Sequence, residues 1–362
     1  MDTQRLRLER HSRPFIPLII IALLTKAGLA TITPSSYDFS NLADCAFHVS
    51  EGAVFQGPYT FSANLMHLFY AIWLLIPVDH EWIYSGHSFM ASLSSFLLVF
   101  LLKLPLLVSD VLTALVIYKI VSSVKAPRGA EIYATLIWLF NPYLTVAVEM
   151  DGTVDIVSTF LVVLATYLYI QGRYSVSGVC LGLATAARFY PIALVPLYGV
   201  LLLKDGRVRG LFSMIASYCA LLTLAVFPFV AIYGMDFLNA LYKLPAGGNK
   251  EFIWFFGFRP WAPTSGQEIS SVVTVVVVIG LLALRAWKAK RRTIMDLVLI
   301  ALITYVGLSH WNRYYTVWVT PFLTMDFAVN CNSASKNLYK ILYILFFLSA
   351  FMYNFAYWWS SS

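Results

Sequence analysis

The sequence contains little charge. Asp, Glu, Lys and Arg together make up 12% of the 362 residues, whereas 60% are hydrophobic. A soluble domain of this length cannot bury so much apolar surface, so the mean hydropathy of +0.75 indicates a polytopic membrane protein. Cysteine is also scarce, and of the four cysteines only Cys45 falls in an expected exterior loop. That distribution excludes a disulfide framework and fits no metal-binding spacing.

Motifs for soluble cosubstrates are missing as well. The sequence has no Walker loop, dinucleotide fingerprint, nucleophile elbow or zinc signature. A nucleotide donor bound from the cytosol is therefore unsupported. Residues 1–14 are basic and polar, and no small-residue cleavage pattern follows the first apolar run. We therefore expect the first hydrophobic segment to be retained as a membrane span.

The basic residues follow a topological pattern. The net charge is +7, which in a soluble protein would raise the question of nucleic-acid binding. Here the positive-inside rule explains it without a nucleic-acid partner, provided that the N-terminus is cytoplasmic. Residues 33–64 carry three acids and no Lys or Arg, as expected for an exterior loop. The cytoplasmic clusters would lie at 5–13, 119–128, 173, 204–209, 285–292 and 336–340.

The apolar runs predict one all-α membrane domain over residues 1–362, with about 11 transmembrane or re-entrant helices. Residues 65–77 suggest a short interfacial or re-entrant helix, and residues 176–203 suggest two short helices meeting near Arg188 and Pro191. The aromatic residues of 234–269 suit an exterior loop that could act as a lid. The remaining candidate spans are 15–32, 104–121, 130–149, 154–171, 210–233, 270–287, 294–309, 315–329 and 339–358.

Acidic residues follow two of these spans. Asp38 lies just past the first span, where a carboxylate can accept a proton or coordinate a divalent cation, but it also fits a solvated loop acid. Glu149, Asp151 and Asp155 fall within seven residues. They could contact a substrate or a metal that relieves their repulsion, or could stabilise a helix N-terminus. The sequence identifies no metal, and a divalent cation remains an open alternative.

Several cations lie outside the cytoplasmic clusters. Arg188 is in an apolar stretch, where a charge usually indicates function, and its planar guanidinium suits phosphate oxygens. The alternative is a structural pair with Asp151 or Asp155. Lys103 and Asp110 are expected to form a buried pair, with Lys26 in the same network.

His310 and Arg313 form a polar turn between two apolar runs. This turn fits either a substrate contact or an arginine that reaches toward lipid headgroups. The cations and acids are predicted to meet at one membrane face, which favours a phosphate-bearing lipid as the ligand.

Several segments resemble the PIG-M-type mannosyltransferases, which are GT-C-fold enzymes that use dolichyl-phosphate-mannose. The first exterior loop matches from Asp38 through Asp44 to Glu51-Gly52 and Pro58-Tyr59, although Ser36 replaces the first acid of the family's Asp-x-Asp motif. Later matches occur in the same order along the chain. They are Asn141-Pro142 through Gly152 to Asp155, then Arg188-Phe189-Tyr190-Pro191, and finally Tyr314-Tyr315 through Trp318 to Pro321.

The resemblance implies a GT-C fold and an inverting transfer of a sugar, expected to be mannose, from a polyprenyl- or dolichyl-phosphate donor at the non-cytoplasmic face. Asp38 would be the general base. The residues expected to bind substrate are Asp44, Asp151, Asp155, Arg188, Tyr190, His310 and Arg313. The acceptor would be linked to a lipid or a glycan. The family's Arg-Tyr-Thr-Pro segment after Pro-Tyr is missing, so a glycolipid-anchor acceptor is not implied.

Two other interpretations remain open. One is a lipid-linked sugar flippase or transporter, although such proteins usually show internal repeats and a polar site near the midplane. The other is a non-catalytic partner of a separate transferase, which the acid missing at Ser36 leaves open.

Overall fold

The computed structural model describes residues 15–31, 93–188, 190–243, 280–288, 294–308 and 313–330, apart from residues 125 and 286, and a few residues of 341–352. These described residues are almost entirely helical and include no β-strand. This confirms the all-α class. The predicted number of about 11 helices is not tested, because residues 32–92 and 244–279 lie outside the described part.

The helices follow one another with short connections. They are α1 (Phe15–Ala30), α2 (Leu93–Ser123), α3 (Ala130–Leu139), the single turn α4 (Pro142–Leu144), a π-helix (Thr145–Met150), α5 (Asp155–Ile170), α6 (Tyr174–Ala187), a 3₁₀-helix (Tyr190–Leu194), α7 (Val195–Lys204), α8 (Val208–Lys243), α9 (Ile294–Leu308), a second 3₁₀-helix (Arg313–Tyr315) and α10 (Thr316–Asn330).

Helix α6 lies at the centre of the packing, between α5 and α8. Its approach to α8 depends on two glycines, Gly178 and Gly182. A Cβ at Gly178 would lie 2.2 Å from the carbonyl oxygen of Met214, and one at Gly182 would lie 3.1 Å from that of Tyr218. Small residues at such a contact let two backbones pack closely where water does not drive association. Helix α2 packs on α3 and α5, and α10 packs on α9 and α3.

Apolar helices long enough to cross a membrane are present among the described residues. Three qualify by length and composition: Lys103–Ser123, Ala130–Met150 and Val208–Phe227. Shorter apolar helices accompany them. Only 11% of the best window of Val208–Phe227 is buried inside the protein, and Phe212 and Leu224 are exposed. Such a surface suits contact with lipid rather than water.

The predicted spans 104–121 and 130–149 match Lys103–Ser123 and Ala130–Met150, which are long and apolar enough to cross a membrane. Helix α2 itself begins earlier, at Leu93, and accommodates Pro105. Within the second span the α-helical pattern is interrupted after Leu139, since Pro142 lacks an amide hydrogen and the Asn141 side chain accepts from the backbone amides of residues 143 and 144. One predicted boundary was wrong. Helix α8 continues to Lys243, so the first ten residues of the predicted loop 234–269 are helical.

Several Lys and Arg residues lie at one end of the bundle. Lys119 lies over the ring of Tyr167 at 5.9 Å, near the end of α5, and Arg207 lies over Tyr174 at 5.7 Å, at the start of α6. The opposite end holds the first turn of α5, which contains Asp155. It also holds the last turn of α6, which Arg188 follows. We call that end the site end. The predicted separation of Lys- and Arg-rich connections from the candidate site is therefore present in these helices.

Candidate functional site

Three acidic residues are buried at the site end. Glu149 belongs to the last turn of the π-helix, Asp151 follows the π-helix, and Asp155 begins α5. All three residues are at most 1% exposed. Buried carboxylates are costly unless they are paired or hydrogen-bonded, so their partners define the site.

The π-helix determines where Asp151 lies. Asn141 caps the turn before it, accepting from the amides of Tyr143 (3.0 Å) and Leu144 (3.4 Å). At its other end, the amides of residues 151, 152 and 153 donate to the carbonyls of residues 146, 148 and 147, respectively. Gly152 has a φ of 74°, which a side chain would disfavour. This tight turn brings Asp151 and Asp155 to the same end of the bundle.

Glu149 belongs to a buried ionic network that connects three helices. Lys26 of α1 lies 2.9 Å from Glu149 Oε1 and 3.0 Å from Asp110 Oδ2 of α2. The network confirms that Lys26 belongs with Asp110. The prediction that Lys103 is the cation beside Asp110 was wrong, because Lys26 from a distant segment takes that position. Lys103 instead donates to the carbonyl oxygens of Glu149 and Met150.

Arg188 forms an ion pair with Asp155, joining its Nε to the carboxylate Oδ1. Helix α6 ends at Ala187, and Arg188 adopts an extended conformation with φ −152° and ψ 138°. The predicted turn between two short helices is confirmed there. Asp155 is fully buried, but a quarter of the Arg188 side chain is exposed. The guanidinium is therefore held by a carboxylate, while part of the Arg188 side chain reaches the protein surface.

Aromatic residues from two distant segments meet beside this pair. The ring of Tyr190 stacks on Trp318 at 4.1 Å, and Tyr315 stacks on Trp318 at the same distance. Tyr314 OH lies 3.3 Å from Asp151 Oδ2. The segment around Arg188 and the segment around Tyr314, more than 120 residues apart, thus contribute to one site.

The structure brings together four of the predicted site residues: Asp151, Asp155, Arg188 and Tyr190. Asp38, Asp44 and His310 lie outside the described residues, and for Arg313 only the backbone is described, in the second 3₁₀-helix. Among the described residues, no group of three or more His, Cys, Asp or Glu side chains is arranged to hold a metal ion.

Sequence reasoning missed part of this site. Tyr314 and Trp318 were noted only as members of a short motif, and Lys103 was assigned to another partner. The signal for Lys103 was its position as a lysine within an apolar run, which usually marks a functional or structural network. No sequence signal reveals that its ammonium contacts two backbone carbonyls.

The arrangement suits a ligand with an anionic group and hydroxyls. A guanidinium can donate two parallel hydrogen bonds to phosphate oxygens, and carboxylates can accept from sugar hydroxyls. A cavity of about 340 Å³ lies beside the π-helix, and its mostly apolar lining includes Leu139, Val146 and Met150 together with Lys26.

Comparisons with known proteins agree with this chemistry. Residues 82–309 match the model of glycosyltransferase family 87. The chain is 23% identical over 241 residues to GPI mannosyltransferase 1 of Kluyveromyces lactis, covering 64% of this chain and 56% of that protein. It is 22% identical over 205 residues to GPI mannosyltransferase 1 of Saccharomyces cerevisiae, covering 54% and 46%. The chain thus spans about half the length of these relatives.

Proposed function

The chain belongs to glycosyltransferase family 87, a GT-C-type family, and on this basis we propose that it transfers mannose from a polyprenyl- or dolichyl-phosphate donor to a lipid- or glycan-linked acceptor. The observation that carries the proposal is the meeting of the Arg188–Asp155 pair with Asp151 and Tyr314 at one end of an apolar bundle. The resemblance to GPI mannosyltransferases supports mannose as the sugar.

The donor phosphate would bind at Arg188. As the bond between the anomeric carbon and the phosphate oxygen breaks, negative charge grows on the departing lipid phosphate. A cation fixed beforehand stabilises that charge more than it stabilises the bound donor, which lowers the barrier. Asp155 holds the guanidinium in place, so little reorganisation is needed. His310 or Arg313 is proposed to assist at the same phosphate.

Asp38 is proposed as the general base of an inverting reaction. Its carboxylate would take the proton of the acceptor hydroxyl as the oxygen attacks the anomeric carbon. The bonding electrons of the broken bond leave with the lipid phosphate. Asp44, Asp151 and Tyr190 would orient the sugar or acceptor, and residues after Lys243 would close over the donor.

The reaction is proposed to occur at the non-cytoplasmic face. Lys119, Arg173 and Arg207 belong to the end of the bundle opposite the site end. Because Lys- and Arg-rich connections are retained in the cytoplasm, the site end would face the exterior or lumen. The apolar cavity beside the π-helix would suit part of an isoprenoid chain.

The test is sugar transfer by the purified protein from polyprenyl-phosphate-mannose. Asp38→Asn should lower turnover by at least about 100-fold, the scale of general-base catalysis, without changing the thermal midpoint. Asp326→Asn, an acid on α10 away from the proposed donor contacts, is the matched control and should retain turnover. Normal turnover by Asp38→Asn would remove Asp38 as the base. Transport of the donor lipid without transfer would favour a flippase.

A further inference from the structure

At the C-terminal end of the π-helix, the amides of residues 151–153 donate to the carbonyls of residues 146–148. The next two carbonyls along the chain, those of Glu149 and Met150, do not accept hydrogen bonds in this backbone pattern. Buried backbone carbonyls require donors, and the C-terminal end of a helix favours positive charge.

Lys103 supplies those donors from α2. Its Nζ lies 2.9 Å from the carbonyl oxygen of Glu149 and 2.6 Å from that of Met150. The side chain is 1% exposed, within a segment apolar enough to span a membrane. Placing an ammonium group there is costly, and a lysine in such a position usually serves a defined purpose.

We propose that Lys103 is a positioning residue for the sugar-transfer site, an inference that rests on the proposed transferase function. Asp151 directly follows Met150, and its carboxylate receives the Tyr314 hydroxyl at 3.3 Å. By fixing the two preceding carbonyls, Lys103 fixes the backbone from which Asp151 extends toward Tyr314 of the second 3₁₀-helix. Its ammonium also interacts electrostatically with Asp151. Because Lys103 is buried, it acts through Asp151 and not by touching substrate.

A structural readout tests this assignment without requiring enzymatic activity. Lys103→Met keeps a side chain of similar shape but removes the hydrogen-bond donors. Amide hydrogen exchange of residues 151–153 should then accelerate by at least about tenfold, because the turn opens locally. Thr113→Val on the same helix is the control, since Thr113 donates only to the carbonyl of Ser109. Unchanged exchange in Lys103→Met would overturn the proposal, whatever the outcome for sugar transfer.

The second test is a double-mutant cycle on turnover. Lys103→Met should lower kcat by about 10- to 100-fold, the scale of a small misplacement at a reacting centre, with a smaller change in the KM for donor. In a Tyr314→Phe background the same change should have a clearly smaller effect, because both residues hold Asp151. Strictly multiplicative effects would contradict the proposal.

If Lys103→Met does not fold, Lys103→Arg provides a second test of the positioning role of Lys103. Arginine retains the charge and can donate to two carbonyls. We expect it to keep the slow exchange of residues 151–153 and more of the kcat than Lys103→Gln, which has one uncharged amide. Equal losses in the arginine and glutamine variants would refute positioning by a charged double donor.

Discussion

The Arg188–Asp155 pair should respond asymmetrically to the loss of either partner. The two side chains differ in exposure, at 25% for Arg188 and 2% for Asp155. Arg188→Met leaves a carboxylate buried without its cation, whereas Asp155→Asn leaves a guanidinium that can turn toward water or headgroups. The first change should therefore reduce the free energy of unfolding more than the second.

The magnitudes follow from burial. Removing one partner of a buried pair costs about 3–5 kcal/mol, so we expect Arg188→Met to be near the lower end of that range, because its own side chain is partly exposed. Asp155→Asn should cost about 1–2 kcal/mol, including the lost interaction of the carboxylate with the N-terminus of α5. The double variant should cost little more than Asp155→Asn alone, because neither charge of this pair then remains.

The assay is reversible unfolding in mixed micelles, with Arg209→Met as the control for loss of an exposed arginine at the opposite end. The expected coupling between the two positions is about 2–3 kcal/mol in the double-mutant cycle, because Arg188→Met adds little once Asp155 is neutral. Equal costs for the two single variants, or additive costs in the double variant, would refute the description of Arg188 and Asp155 as one ion pair of unequal burial.

Three further changes test the packing that supports the site. Gly178→Ala should destabilise the protein by about 1–3 kcal/mol, because its methyl group would meet a backbone carbonyl of α8, whereas Gly280→Ala meets nothing within 4 Å and should not destabilise it. Lys26→Met should lower the free energy of unfolding by about 3–5 kcal/mol by leaving its two carboxylate partners buried; a loss under 1 kcal/mol would contradict the network. Gly152→Ala should cost about 1 kcal/mol through its φ of 74°, measured by the same unfolding assay, and a neutral result would show that the turn adapts.

Hydrophobic length and helix-breaking residues predicted much of the fold. The span expected at 154–171 is observed as Asp155–Ile170, and the turn near Arg188 and Pro191 is present. The π-helix was not predicted, because a π-helix has no distinct composition and a tertiary partner stabilises it. Residues 234–243 were predicted to be part of a loop, because the aromatic and glycine-rich residues later in 234–269 are typical of a loop.

The sequence predicted which types of residue form the candidate site better than it predicted which of them pair. A charged residue in an apolar run is visible in the sequence, so Arg188, Asp155 and Lys26 could be identified. Which charges pair depends on how helices pack, and sequence distance gives no guide to that. Asp110 therefore pairs with Lys26 and not with Lys103. Likewise, Tyr314 donates to Asp151 although the two residues are 163 positions apart in the sequence.

The affinity for polyprenyl phosphate tests most directly whether Arg188 binds the donor. Binding of this lipid to the wild-type protein, Arg188→Ala and the control Arg209→Ala can be compared by titration in micelles. We expect Arg188→Ala to weaken binding by about 10- to 100-fold, as for loss of a charge-assisted contact to phosphate, while Arg209→Ala stays close to wild type. Equal affinity of wild type and Arg188→Ala would contradict a donor-phosphate site at Arg188.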